Sequence, residues 1–496
     1  MSEAASTPFS ETKAQGEPAP ERLRRGALGL VDISASTMAN IGPAYSFFFG
    51  FGFLALTAGV AAPLTIIAAG IAIALLGNTL AQFSRAHPST GSFISFVGKT
   101  FGPTSAVTTA LLAGAGYIVA ISSVLAVSGG FLSLTLAYYF KWNIPWGILA
   151  VLLTGGAVLM MIRGVAVSTK LAGFFFAFEM LVLVVVSVTL LFKNGGHLSI
   201  SPFVPSHITN GFRGLATGFP LAIYLFIGWE NSAALAEETG NPRRNVPRAV
   251  FLSVGLMLVS YVLFAYATVS GFNDNVKTLG AQPIPFITVA HGALASFAFF
   301  AYLAGLTSTL GVLIAAANSQ ARLIFNAGRE GLLPSWLGKV NPARRTPVNA
   351  IFAFVGLAGG IIIVWAILHL AGGSATSGGM NPLNFFFESS TMGTILVLVV
   401  YFLANLALPF YYRKYRPEEF SVVKHLVLPI LGMVAIAVPV YYLTKPGQLA
   451  PYDWFPYAAL ATIVVAVIYA VALRRRDPSV GERVGSIVAD EWVAAE

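Results

Sequence analysis

The chain has 496 residues, 56% hydrophobic and only 10% charged, with mean hydropathy +0.77 and a formal charge of +9. Soluble domains carry roughly 25% charged residues, so this composition cannot cover a water-facing surface and points to a polytopic all-α protein in a lipid bilayer. There are no cysteines, which excludes disulfides and thiolate metal sites.

Residues 1–26 are polar, basic at Arg22, Arg24 and Arg25, and lack the apolar core of a signal peptide; they are expected to form a cytoplasmic tail. A spanning helix needs about 20 mostly apolar residues. Apolar runs between polar breaks predict twelve spans, at approximately 29–57, 62–82, 104–137, 144–162, 168–193, 214–238, 248–272, 292–327, 348–371, 384–411, 423–443 and 455–473. Residues 476–496 read as a cytoplasmic C-terminal tail. With both termini inside, 24 of the 29 Lys and Arg residues fall on the cytoplasmic side; only Lys141, Lys193, Arg213, Lys277 and Lys445 fall outside. This positive-inside bias supports the twelve-span reading in a cell inner (plasma) membrane and explains the basic charge without a nucleic-acid partner.

Two spans are interrupted. The first contains "MANIGPAYSFFFG", with Gly42 and Pro43 adjacent near mid-membrane; the sixth contains "FIGWEN" around Gly228, with Glu230 inside an apolar run. Unwound backbone at membrane depth is tolerated only where it is buried in protein or lines a wet cavity. The interruptions open two blocks of five spans, residues 27–193 and 212–413, and leave residues 423–475 as two extra helices. A block of odd span number inserts in opposite orientations, so the second block is expected to be an inverted copy of the first, with a binding site at the paired breaks. The links "PSTGSFISFVG" (88–98) and "PIPFITVAHG" (283–292) are both Pro-started and Phe-containing.

The stretch "GWENSAALAEETGNPRRNVPRA" resembles the sixth-helix signature of the amino acid–polyamine–organocation permeases. "SRAHPSTGSFISFVGKTFG" (84–102) and "NSQARLIFNAGREGLLPSWLGKVNPARRTPVNA" (318–350) resemble further stretches of that family. The resemblance implies the leucine-transporter type fold of five-plus-five inverted repeats, and alternating-access transport of an amino acid or related amine. Where that family often has a G-x-G element in the first helix, this chain has "NIGPA". Where several members carry a lysine in the fifth helix, alignment of "GVAVSTKLAGFFFAFE" places Glu179.

An α-amino acid needs donors for its carboxylate and acceptors for its ammonium, and a broken helix exposes both. The N–H groups of Ala44, Tyr45 and Gly42 are the expected donors, and carbonyls near Asn40, Ile41, Phe226 and Ile227 the expected acceptors. Gly228 and Glu230 complete the expected substrate site, with Trp229 as an aromatic gate or plain packing residue and Tyr117 as a pocket wall. Ser308 and Thr309 are the candidates for a sodium site, or else bond their own helix. Glu179 lies roughly eleven residues into the fifth span, about 15 Å from its end, where an acid is costly and usually faces a pathway; it is the proton-coupling candidate. Glu237, Glu238, Arg243, Arg244 and Arg248 are expected at the cytoplasmic mouth as a gate or topology anchor. Asp32 either joins that gate or starts its own helix, and "NPRRNVP" reads as a helix stop with a new start at Pro247. Glu388 has no assigned task.

An enzyme is disfavoured. His87, His197, His207, His291, His369 and His425 are scattered without an H-E-x-x-H arrangement, and no G-x-x-x-x-G-K phosphate loop is present. No cofactor or metal is expected. The expected function is a secondary permease for an amino acid, with a proton or sodium ion as coupling partner; the alternatives are a polyamine or ethanolamine-like amine transporter, or a nutrient sensor that does not translocate.

Overall fold

The structure, a computed structural model, describes residue 23 and residues 26–370 and 381–483. Most of both expected tails, at 1–22, 24–25 and 484–496, therefore lies outside the described residues, as does 371–380 at the end of the ninth expected span. No strand forms among the described residues, only isolated bridges of Leu28 with Thr239 and Asn341 with Thr346. A helix bonds its own backbone polar groups, which is what hydrocarbon surroundings demand.

The first half runs α1 (Leu30–Ile41), α2 (Pro43–Ala58), α3 (Ala62–Ala86), α4 (Phe93–Phe101), α5 (Pro103–Phe140), α6 (Trp146–Ile162) and α7 (Val165–Lys193). Next come α8 (Phe212–Tyr224), α9 (Asn231–Ala234), α10 (Pro242–Gly271), α11 (Val276–Gly280), α12 (Pro285–Leu294), α13 (Phe299–Arg329), α14 (Val348–Leu370) and α15 (Pro382–Tyr415). The described chain closes with α16 (Leu428–Thr444), α17 (Phe455–Arg476) and α18 (Val480–Arg483).

Nine helical stretches among the described residues are long and apolar enough to cross a membrane, where the sequence predicts twelve. The difference has local causes. The first two expected spans run together over Leu30–Ala86, joined by a short 3-10 turn. Helix α6 is apolar but has only 17 residues. The sixth expected span is interrupted, because α8 stops at Tyr224 and residues 225–230 are turns. The two Pro-started links become the short helices α4 and α12, each leading into a long helix.

One boundary differs from expectation. Helix α10 starts at Pro242, not Pro247, behind a left-handed Asn241. Pro242 suits a first helical position, where its missing N–H costs nothing. Pro247 lies inside the same helix, one turn from its start.

Helices α1 and α2 occupy the centre. α1 packs on α7, α10 and α13, and α2 packs on α8 and α13. Phe47, Phe48, Phe49 and Phe51 of α2 are all buried; the Phe47 ring lies 4.5 Å from that of Phe51 and 6.2 Å from that of Tyr261. Between helices in lipid, dispersion contact rather than water exclusion holds such packing together. The outer helices α16 and α17 carry exposed Val434, Val465 and Ile468, a surface suited to lipid.

Candidate functional site

Helix α1 ends because Gly42 adopts φ 61°, ψ 74°, a left-handed conformation that glycine reaches without steric cost. A Cβ there would sit 2.1 Å from Val312 Cγ2, so close packing requires glycine as well. In a continuous helix Ala44 N–H would bond the Asn40 carbonyl and Tyr45 N–H the Ile41 carbonyl. Here Ala44 N–H donates to Glu179 Oε2 at 3.0 Å and Tyr45 N–H to Ser308 Oγ at 2.9 Å. The Asn40 and Ile41 carbonyls thereby lose their helical donors, and both residues line a cavity.

The second interruption rests on the first. Gly228 has φ 105°, and a Cβ on it would lie 2.9 Å from the carbonyl carbon and oxygen of Asn40. Asn40 Nδ2 donates to the Gly228 carbonyl at 3.2 Å. The two breaks therefore form one joint, with the cavity opening from it. That cavity encloses about 510 Å³, counted to its open mouth. Glu230 and Tyr117 face one another across it: Tyr117 O–H donates to Glu230 Oε1 at 2.8 Å, while Oε2 is buried with no hydrogen-bond partner. The N–H groups of Gly228 and Glu230 and the Tyr401 hydroxyl lie close to that carboxyl group without hydrogen bonding to Oε2. Among the described residues, no Lys or Arg lines the cavity.

Several expected residues land elsewhere. Trp229 is fully buried between Phe93 and Tyr401, ring centroids 6.3 and 5.5 Å away; it is a packing residue, because the unwound segment turns Glu230 rather than Trp229 toward the cavity. Phe226 packs on Tyr261, and its carbonyl accepts from Trp229 N–H. Ile227 does line the cavity. Gly42 N–H is spent on the Met38 carbonyl. With Ala44 and Tyr45 N–H also engaged, none of the three expected carboxylate donors faces the cavity unpaired. Thr309 bonds the Leu306 carbonyl of its own helix. Asp32 accepts Gly29 N–H at 2.8 Å, so it caps α1 rather than joining a gate. Glu388 accepts from the Trp365 indole at 3.1 Å.

Two sets of polar contacts flank the cavity. Toward one end, Tyr45 and Tyr224 hydroxyls bond each other at 2.8 Å, and the Phe386 ring packs edge-on against both. Beyond them lies a second cavity of about 840 Å³, lined by Tyr224, Phe386, Lys445 and Gln448. At the opposite, basic end, Glu238 pairs with Arg322 and Glu237 with Arg329, with all four side chains buried or nearly so. Leu28 straps this end by accepting Gly240 N–H at 3.0 Å and donating its own N–H to Glu238. Arg243 donates to the Arg85 and Ala86 carbonyls, whereas Arg244 and Arg248 are exposed. Glu237 and Glu238 were expected to act as a gate or topology anchor; the structure pairs them with Arg322 and Arg329, which the sequence reading did not single out although they stand seven residues apart, two helical turns on one face of α13.

Residues 28–479 match the amino acid permease family. The chain belongs to that family. It is 24% identical over 431 residues to the methylthioribose transporter of Bacillus subtilis, covering 82% of this chain and 85% of that one. It is 27% identical to the branched-chain amino acid permease BcaP of Lactococcus lactis, over 59% of this chain and 58% of the other. A crystal structure of a manganese transporter from Eremococcus coleocola, bound to an aromatic bis-isothiourea compound, shares the fold with a TM-score of 0.53 at 12% identity. It covers 90% of this chain and 95% of that one. This permease is thus a multi-pass membrane transporter rather than an enzyme.

Proposed function

We propose that this permease is a secondary active transporter that carries an amino acid or related amine across the cytoplasmic membrane by alternating access, with uptake coupled to protons through Glu179. One observation carries the reading: two helix breaks, 188 residues apart at Asn40 and Gly228, meet at a cavity that contains a buried carboxylate. The twelve-span, five-plus-five reading fits this, with α6 as the fourth span and α8 to α9 as a broken sixth. The Tyr45–Tyr224 barrier then faces outside, and the Glu238–Arg322 and Glu237–Arg329 pairs face the cytoplasm with both termini.

Glu179 links α7 to the first turn of α2. As a carboxylate it accepts the Ala44 N–H and faces the positive end of that half-helix. Protonation removes the charge that favours this contact, so proton binding changes how firmly α7 holds α2. Ser308 Oγ accepts the Tyr45 N–H in the same turn of α2, so α7 and α13 together hold the start of that half-helix. The test is uptake of labelled leucine and labelled isopentylamine into proteoliposomes with an acidic exterior. Saturable accumulation above the outside concentration supports transport; binding without accumulation contradicts it and favours a sensor.

A further inference from the structure

We infer that the substrate is a primary monoamine without a carboxylate, and that an α-amino acid is excluded because Glu179 fills the place its carboxylate would need. This rests on the substrate site proposed above and deepens it. A broken helix offers donors on one side of the break and acceptors on the other. The donor side is consumed within the protein. Pro43 has no N–H, Ala44 donates to Glu179 Oε2, Tyr45 to Ser308 Oγ, and Ser46 to the Gly42 carbonyl at 2.8 Å. No N–H of the first turn of α2 is left for a ligand.

Several other polar groups of the cavity are spent within the protein. Tyr117 donates to Glu230, the Tyr45 and Tyr224 hydroxyls bond one another, and Ser46 Oγ donates to the Gly42 carbonyl. The Gln320 side-chain oxygen is buried and unpartnered. A zwitterion would therefore bring its carboxylate into a cavity that already holds the Glu230 carboxyl group and no Lys or Arg to offset the like charge, and the site would reject it by that mismatch.

The acceptor side faces the cavity open. Glu230 Oε2 is buried without a partner, and a carboxylate held there is costly unless a proton or an entering cation neutralises it. With the Asn40 and Ile41 carbonyls it offers acceptors that match the three N–H groups of one ammonium. Ile121, Val124 and Val312 supply apolar wall, and the cavity lining holds a single carboxylate. One positive charge and a hydrocarbon tail fit; a second ammonium would find no second carboxylate in the lining.

The experiment uses the full chain, purified, with isopentylamine against leucine and 2-phenylethylamine against phenylalanine, read by thermal shift and calorimetry. Each amine is expected to bind at least about tenfold more tightly than its amino acid. Glu230→Gln is expected to cost the amine at least about tenfold, and Glu179→Ala, which frees the Ala44 N–H, to narrow the preference by improving amino acid binding. An amino acid that binds the unaltered protein as tightly as its amine, at acidic or neutral pH, overturns the inference and leaves the transport site standing. Binding of neither class by folded protein overturns both. Because the matched pairs are compared on the unaltered protein, the test does not depend on either variant folding.

Discussion

Asn40 Nδ2 donates to the Gly228 carbonyl at 3.2 Å, joining two interrupted helices from opposite halves of the chain. Because each break packs on the other, movement at either one is felt at the cavity between them. A pair of helices that merely kinked for packing would have no reason to unwind at a shared point and expose carbonyls there.

Substitution of the hinge glycines is expected to separate binding from folding. At Gly42, φ 61° and the contact with Val312 leave no room for a side chain, so Gly42→Leu should abolish ligand binding while membrane insertion persists. Gly228→Ala, whose Cβ would press on the Asn40 peptide at 2.9 Å, should weaken binding less severely. Calorimetry on both variants, with circular dichroism as the fold control, checks this; normal affinity in Gly42→Leu would move the site elsewhere.

Glu238 and Arg322 are a buried pair, at the end proposed to face the cytoplasm. Removing one partner strands the other charge and should cost about 3–5 kcal/mol of stability. Glu238→Gln alone is therefore expected to lower the unfolding temperature clearly, and Glu238→Gln with Arg322→Met to recover much of that loss. Equal losses in the single and double variants would show that the pair is not coupled.

The proposed outer barrier includes the hydroxyl bond between Tyr45 and Tyr224. Tyr224→Phe removes it at about 1 kcal/mol, a factor of about five in the open fraction. The chain has no cysteine, so a single one introduced at Ala120, which lines the cavity, reports access from outside. Its alkylation by a membrane-impermeant reagent should speed up about fivefold in the Tyr224→Phe background; an unchanged rate would place the barrier elsewhere.

Both breaks were legible because Gly42–Pro43 and Gly228–Glu230 conflict with a lipid-facing helix on local grounds alone. Tyr117 and Glu179 were legible as well, one from its place in the third span and the other from its depth. What the sequence did not carry is which partner each polar group takes. Nothing local tells that Ala44 N–H reaches Glu179, or that Ser308 accepts the Tyr45 N–H; those contacts cross helices 135 and 263 residues apart. Trp229 misled for a related reason: in an unwound segment, helical periodicity no longer says which of two neighbours faces the cavity. Pro247 misled because Pro242 is an equally good helix start.

The most direct test is proton-driven accumulation with Glu179→Gln. Glutamine keeps an oxygen that can accept the Ala44 N–H but cannot take or release a proton, so it mimics the protonated carboxyl. In proteoliposomes with an acidic exterior, the unaltered protein is expected to accumulate substrate and to lose that accumulation when the gradient is collapsed. Glu179→Gln is expected to bind substrate and to equilibrate it without accumulation. Accumulation by the variant that still follows the proton gradient would contradict the account.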